Sequence, residues 1–227
     1  TDIAITLAGG DRGFARADAA TLSIPLDLFD DPALLRPGAG LGSLFLLPGI
    51  GETLRVNGRV QSVDGAARIA VEECYVHCAK ALIRSDFWKA EPVTDGPADL
   101  DGFVAASRFM ALATVDPGGR ADLSPKGDPA GAMVRKDGDA LCFPDRPGNR
   151  RTDSFRNIIA QPHIAAALLI PGSDRVATFT GSATLTSDEA ARAPFIVQGK
   201  QPLLAARVDG LRITTAPSAA LARAALW

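Results

Sequence analysis

The sequence predicts a mainly β protein: a β-barrel with a few peripheral helices, built from two fused, degenerate copies of one fold. Three observations carry this. Short apolar runs end at Pro-Gly turns, stretches of period-2 alternation follow those turns, and blocks of the first half recur in the same order in the second. The chain has 227 residues, 47% of them hydrophobic and 22% charged, which suits one large soluble domain or two small ones.

The blocks are faint but ordered. Leu47-Pro48-Gly49 is echoed by Ile170-Pro171-Gly172, and Gly58 by Gly181, with Gly49 and Gly172 each nine positions ahead of their later glycine. The strands that follow are 53–57 and 176–180, each the second strand of a hairpin. Upstream, 21–25 (TLSIP) matches 140–144 (ALCFP), and 6–9 (TLAG) matches 124–127 (SPKG). Downstream, 81–88 matches 220–227, so that Arg84 meets Arg223 and Trp88 meets Trp227. These blocks place copy one at 1–93 and copy two at 98–227, joined by a Pro- and Gly-containing acidic linker at 91–97. Copy two alone has the 100–116 region, where Phe103 to Phe109 reads as a helix and Met110 to Val115 as a strand, and a polar, helix-like insertion at 187–201. Asp116-Pro117-Gly118-Gly119 reads as a hairpin turn leading to a strand at 121–124.

Composition excludes several classes. A net charge of -2 and a pI near 5.7 give no footprint for nucleic acid. No apolar run approaches the roughly 20 residues of a membrane helix, and 1–10 lacks the pattern of a secretory signal. The missing initiator Met implies processing, renumbering or an incomplete chain. Three cysteines, Cys74, Cys78 and Cys142, form no disulfide framework and point to a reducing cytoplasm. Cys74, His77 and Cys78 lack further N or S ligands, so no metal site is expected and both cysteines are expected to pack.

The richest chemistry lies at 143–154. A strand ends at Phe143, a Pro/Gly turn holds Asp145, Arg146, Asn149, Arg150 and Arg151, and a helix is expected from about Thr152 to Ala160, before Pro162. Arginines at a helix N-terminus meet unsatisfied N–H groups and a positive dipole end, a combination that suits a phosphate. Only Asp145 and Asp153 are at hand locally to neutralise them. A solvated basic turn that caps a helix is the alternative. Lys126, on the same strand as Ser124, favours the anion reading because hairpin order brings it to the same place.

Copy one supplies the other candidates. His77, Lys80, Arg84 and Trp88 fall on one face if 77–88 is helical. Arg84 and Trp88 have counterparts in copy two and read as structural. His77 and Lys80 face Ala216 and Ala219 there, so they are candidates for ligand contact or an exposed helix face. Arg55, matched by Thr178, faces a ligand or solvent. No paired carboxylates or Ser/His/Asp set names an acid–base mechanism, so catalytic residues stay unassigned.

The runs 109–116, 122–129 and 146–151, with 44–58 and 74–81 (CYVHCAKA), resemble FMN-dependent pyridoxamine 5'-phosphate oxidase-like proteins. The resemblance covers most of 40–90 and 100–185. It implies a split β-barrel that dimerises with FMN at the interface, the phosphate held at the positions of Lys126, Asn149, Arg150 and Arg151. The family usually has Arg where Lys126 stands. Here the phosphate half is in copy two and the His-Cys-Ala-Lys half in copy one, so an intramolecular pseudo-dimer with one FMN site per chain is expected, a further homo-oligomer being left open. The implied activity is an FMN-dependent oxidoreductase of unknown substrate. The alternatives are a flavin carrier or sensor and a cofactor-free pseudo-enzyme.

Overall fold

The computed structural model describes residues 3–148 and 151–227. Two antiparallel sheets dominate. The first contains β1 (Arg16–Ala17), β2 (Thr21–Pro25), β3 (Gly40–Leu46), β4 (Thr53–Asp64) and β5 (Ala66–His77), in the order β1-β2-β5-β4-β3, and leads into α1 (Lys80–Arg84). The second half opens with α2 (Leu100–Ala106). Its strands are β6 (Phe109–Val115), β7 (Ala121–Gly127), β8 (Arg135–Asp137), β9 (Ala140–Pro144), β10 (His163–Leu169), β11 (Arg175–Thr186) and β12 (Ala205–Pro217). They run β7-β6-β10-β11-β12-β9-β8, with α3 (Asp153–Ala160), α4 (Glu189–Arg192) and α5 (Ala219–Ala224) outside the sheet.

The two sheets share a plan. The order β2-β5-β4-β3 of the first reappears as β9-β12-β11-β10 in the second, and α1 follows β5 as α5 follows β12. Register agrees residue by residue. Thr53 pairs with His77 and Arg55 with Tyr75 in one hairpin; Val176 pairs with Ala216 and Thr178 with Thr214 in the other. Both hairpins slip register at a glycine, Gly58 or Gly181, where a Cβ would collide with a carbonyl of the neighbouring strand.

The halves meet through a mixed apolar core. Ala81, Leu82 and Phe87 of the first half pack with Phe109, Ala167, Leu169, Val176 and Leu221 of the second. Trp88 and Trp227 stand 6.1 Å apart, each edge-on to Phe87. The hydrogen bonds across this junction come in pairs. Arg84 Nε donates to Gly127 O at 2.7 Å, and Arg223 Nε donates to Gly9 O at 3.0 Å. A Cβ on Gly127 would collide with Ala81 O, and one on Gly9 with Ala220 O. Asp86 and Ala225, at matched positions just past α1 and α5, both take left-handed backbone (φ 50 and 42).

Several elements differ from expectation. The helix expected at Phe103 to Phe109 sits earlier, because the Asp99 side chain caps Gly102 N and Ser107 is already extended. β7 continues past Ser124 to Gly127, carrying Lys126 inside the strand. The 187–201 insertion holds only the four-residue α4 and a 3-10 turn at Ala193–Phe195, where Pro194 interrupts the helix and Phe195 is buried. His77 ends β5 rather than starting a helix. The 91–97 segment is anchored, with Val93 N donating to Pro171 O. Among the described residues, no helix is long and apolar enough to cross a membrane.

The junction is tested at Gly127. Gly127→Ala is expected to cost about 1–3 kcal/mol, a value typical of forced core clashes. Gly51→Ala, with open space around its Cβ, is expected to be near neutral in the same thermal unfolding measurement.

Candidate functional site

Period-2 geometry places Asp122, Ser124 and Lys126 on one face of β7. Ser124 and Ser154 stand 2.5 Å apart, with their hydroxyls 3.0 and 3.2 Å from Asp122 Oδ2, so that one donates to the other and the second to the carboxylate. Lys126 Nζ lies 3.6 Å from Asp145 and 4.9 Å above the Phe155 ring of α3. Arg146 Nε donates to both oxygens of Asp128, at 2.9 and 3.1 Å, while its Nη2 is buried without a partner. α3 begins at Asp153, and its N-cap Thr152 makes no side-chain cap, so the first N–H groups keep their capacity to donate to an anion. Asn149 and Arg150 lie outside the described residues.

The first half reaches the same place. Arg55, only 1% exposed, is ion-paired with Asp122, so it does not face solvent. The guanidinium of Arg151 lies 4.1 Å from the centre of the Tyr75 ring and that of Arg55 5.2 Å. Lys80 Nζ donates to Gly148 O at 3.1 Å. His77 is buried at the end of β5, directly opposite Thr53, so it belongs to the strand face and not to a stripe with Lys80 and Arg84. Arg84 is held at the junction by Gly127 O and by Asp128 at 3.3 Å.

The electrostatics follow from this crowding. Burial, and then the positive charges of Arg55, Arg151 and Lys126, push the His77 pKa down to about 4, so the ring is neutral at pH 7. Burial lowers the Lys126 pKa, an effect that Asp145 opposes. Burial raises the carboxyls of Asp145 and Asp128 against the pull of Lys126 and Arg146 respectively. The arginine cluster is therefore better neutralised than Asp145 and Asp153 alone would make it: Asp128 takes Arg146 and Arg84, and Asp122 takes Arg55. Cys74 is exposed rather than packed, and Cys78 is half-buried.

A sequence model described as pyridoxamine 5'-phosphate oxidase matches residues 97–222. The chain belongs to this family. In pyridoxamine 5'-phosphate oxidase terms, the matched segment is the half that carries Ser124, Lys126, Asp145, Arg146 and Arg151. No curated protein matches the chain. Among solved structures, HupZ of Group A Streptococcus is 21% identical over 50% of this chain and 88% of its own, with a TM-score of 0.40. HutZ, described as a haem storage protein of Vibrio cholerae, is 13% identical over 52% and 94%, with a TM-score of 0.36. An FMN binding protein of Nostoc punctiforme related to pyridoxamine 5'-phosphate oxidase is 18% identical over 47% and 74%, with a TM-score of 0.32. Likenesses this distant do not choose a ligand.

Sequence reasoning missed Asp122, Asp128, Tyr75 and Ser154. Asp122 was within reach, since it alternates with Ser124 and Lys126 along one strand. Tyr75 alternates likewise with His77, while the pairing of Asp128 with Arg146 needed tertiary structure.

His77 gives a signed pH prediction. Its folded pKa lies below the unfolded value of about 6.5, so between pH 6.5 and 4 the unfolded chain binds more protons and stability falls as pH drops. His77→Gln is expected to remove on the order of 2–3 kcal/mol of this loss. Urea midpoints of wild type and variant should therefore diverge from pH 7 to pH 4.5; parallel curves would exclude the effect.

Proposed function

We propose that the chain is an FMN-binding flavoprotein with one flavin per chain, held between a degenerate copy at 1–93 and a second copy at 98–227. The observation that carries this reading is the convergence of Lys126 and Arg151 from one half with Arg55 and His77 from the other, felt as a common positive field at the His77 ring. The residues fit an anionic, planar ligand. Arg146 keeps a buried, unpartnered Nη2, and cations meet at this side of the fold from two strands and a turn. Ser124, Lys126, Asp145, Arg146 and Arg151 form the phosphate side, to which the sequence motif adds Asn149 and Arg150; Arg55, His77 and Lys80 form the ring side. When bound, FMN supplies hydride or electron transfer, and the protein orients it and excludes water. Neutral His77 can accept or donate one hydrogen bond without adding charge.

The matched positions of the other pairing do not fit a phosphate. Ala8 stands where Lys126 does, bridged to Phe29, and 26–31 carries three acids and no base. Ala216 and Ala219 stand where His77 and Lys80 do. The finer role we propose is an FMN-dependent oxidoreductase; oxidation of a reduced nicotinamide or an amine separates it from a flavin carrier. Three free cysteines fit a reducing cytoplasm.

Titration is expected to give one FMN per chain, with FMN binding far better than riboflavin. Two flavins per chain, or equal affinity for FMN and riboflavin, overturns the reading. Lys126→Ala with Arg151→Ala is expected to weaken FMN by several kcal/mol, since charged hydrogen bonds contribute roughly 1.5–3 kcal/mol each. Asp145→Asn removes the carboxylate that competes for Lys126 and is expected to tighten FMN but not riboflavin in fluorescence titration.

A further inference from the structure

The face that β4 and β5 turn toward the second half is a polar grid. Thr53, Arg55 and Asn57 alternate along β4, and their partners across the ladder are His77, Tyr75 and Glu73. Thr53, Arg55, Asn57 and His77 are each less than 9% exposed. Four of the six carry a buried polar atom without a protein partner: Thr53 Oγ1, Arg55 Nε, Asn57 Oδ1 and Tyr75 Oη. Interiors rarely leave such atoms unmatched, and four on one face mark the footprint of something polar. The matched face of the other hairpin holds Val176, Thr178, Thr180, Arg212, Thr214 and Ala216. It opens onto a cavity of about 220 Å³ lined by Thr178, Thr180, Arg212 and Thr214, and roofed by Ala4 and Ile5. In the first sheet the matched positions carry stronger hydrogen-bonding groups: Arg55, Asn57 and Tyr75 stand where Thr178, Thr180 and Thr214 do.

We propose that Arg55, Asn57 and Tyr75 read the pyrimidine edge of the flavin ring, where a carbonyl adjoins an N–H. This rests on the flavin reading above and names how the ring is recognised. Asn57 Nδ2 is spent on Glu73 Oε2 at 3.1 Å, which fixes the amide so that Oδ1 remains as an acceptor for a ligand N–H. Arg55 is oriented by its Asp122 ion pair and keeps Nε as a donor for a ligand carbonyl. The two residues lie two apart on one strand face, so acceptor and donor belong to the same face of the sheet, as reading one edge of a ring requires. The Tyr75 hydroxyl adds a second donor from β5. Sugars, whose hydroxyls both donate and accept, do not need this fixed order, and an apolar ligand would leave every one of these atoms unpaired.

The test compares FMN with its N3-methyl derivative, which keeps the phosphate and ring but loses the N–H. Wild-type protein is expected to bind FMN about tenfold or more tightly than N3-methyl-FMN, the size of one hydrogen bond to a buried acceptor. Asn57→Leu is expected to bind the two with similar affinity while still preferring FMN to riboflavin. Equal binding of FMN and N3-methyl-FMN by wild type overturns the ring-edge assignment alone, provided FMN still beats riboflavin. Undiminished discrimination in Asn57→Leu does the same. Failure of wild type to bind either FMN or riboflavin overturns both readings.

Discussion

The architecture depends on a close approach between a helix of one half and a strand of the other. At Gly127 no side chain intervenes, so the Ala81 carbonyl of α1 can lie against β7 and Arg84 can donate to the Gly127 carbonyl. At Gly9 the same arrangement recurs with Ala220 and Arg223. Two such contacts, related by the shared plan of the sheets, leave little freedom in how the halves face each other. Phe87, Trp88 and Trp227 then fill the space between the contacts. Any side chain at either glycine would push the halves apart and misplace every group that meets across the junction.

That geometry brings Arg55 up to β7, and a buried guanidinium must be paired. Asp122 meets it, and Ser124 and Ser154 complete the carboxylate's hydrogen bonds. A buried ion pair contributes little net stability, because desolving both charges offsets most of their attraction. Its consequence is positional: it fixes one edge of the polar face and keeps Ser124 and the start of α3 in contact. Lys126 with Asp145 and Arg146 with Asp128 follow the same pattern. The site is therefore not an open cluster of positive charge. It is an array of pairs, so any anion entering it would have to compete with carboxylates already present.

Much of this was legible in the amino-acid order. The Pro-Gly turns located both hairpins, because such a turn needs a residue with positive φ, and the matched Gly58 and Gly181 fall where each ladder slips register. The run of cations around a helix start was legible because it is local. His77 was misread because strand and helix periodicities both accommodate a short Glu73–Trp88 segment; only pairing with Thr53 decides that it belongs to the strand. What Asp122 and Asp128 neutralise was invisible for another reason. Each pairs with residues at least 18 positions away, and nothing in a single sequence reports on such contacts. The 187–201 insertion failed by length, since Pro194 leaves too few residues for a full helix.

The two hairpin faces show why unequal copies can persist in one chain. In a symmetric dimer every substitution appears twice, so a change that spoils one site spoils both. Fusion removes that coupling. Arg55, Asn57, Tyr75 and His77 make one hairpin face strongly polar, while Thr178, Thr180, Thr214 and Ala216 hold the matched positions of the other. The residues that stay matched are those the junction requires: Gly9 with Gly127, Arg84 with Arg223, Trp88 with Trp227. Packing at the junction is held in common by both halves, while the polar side chains of the two hairpin faces differ.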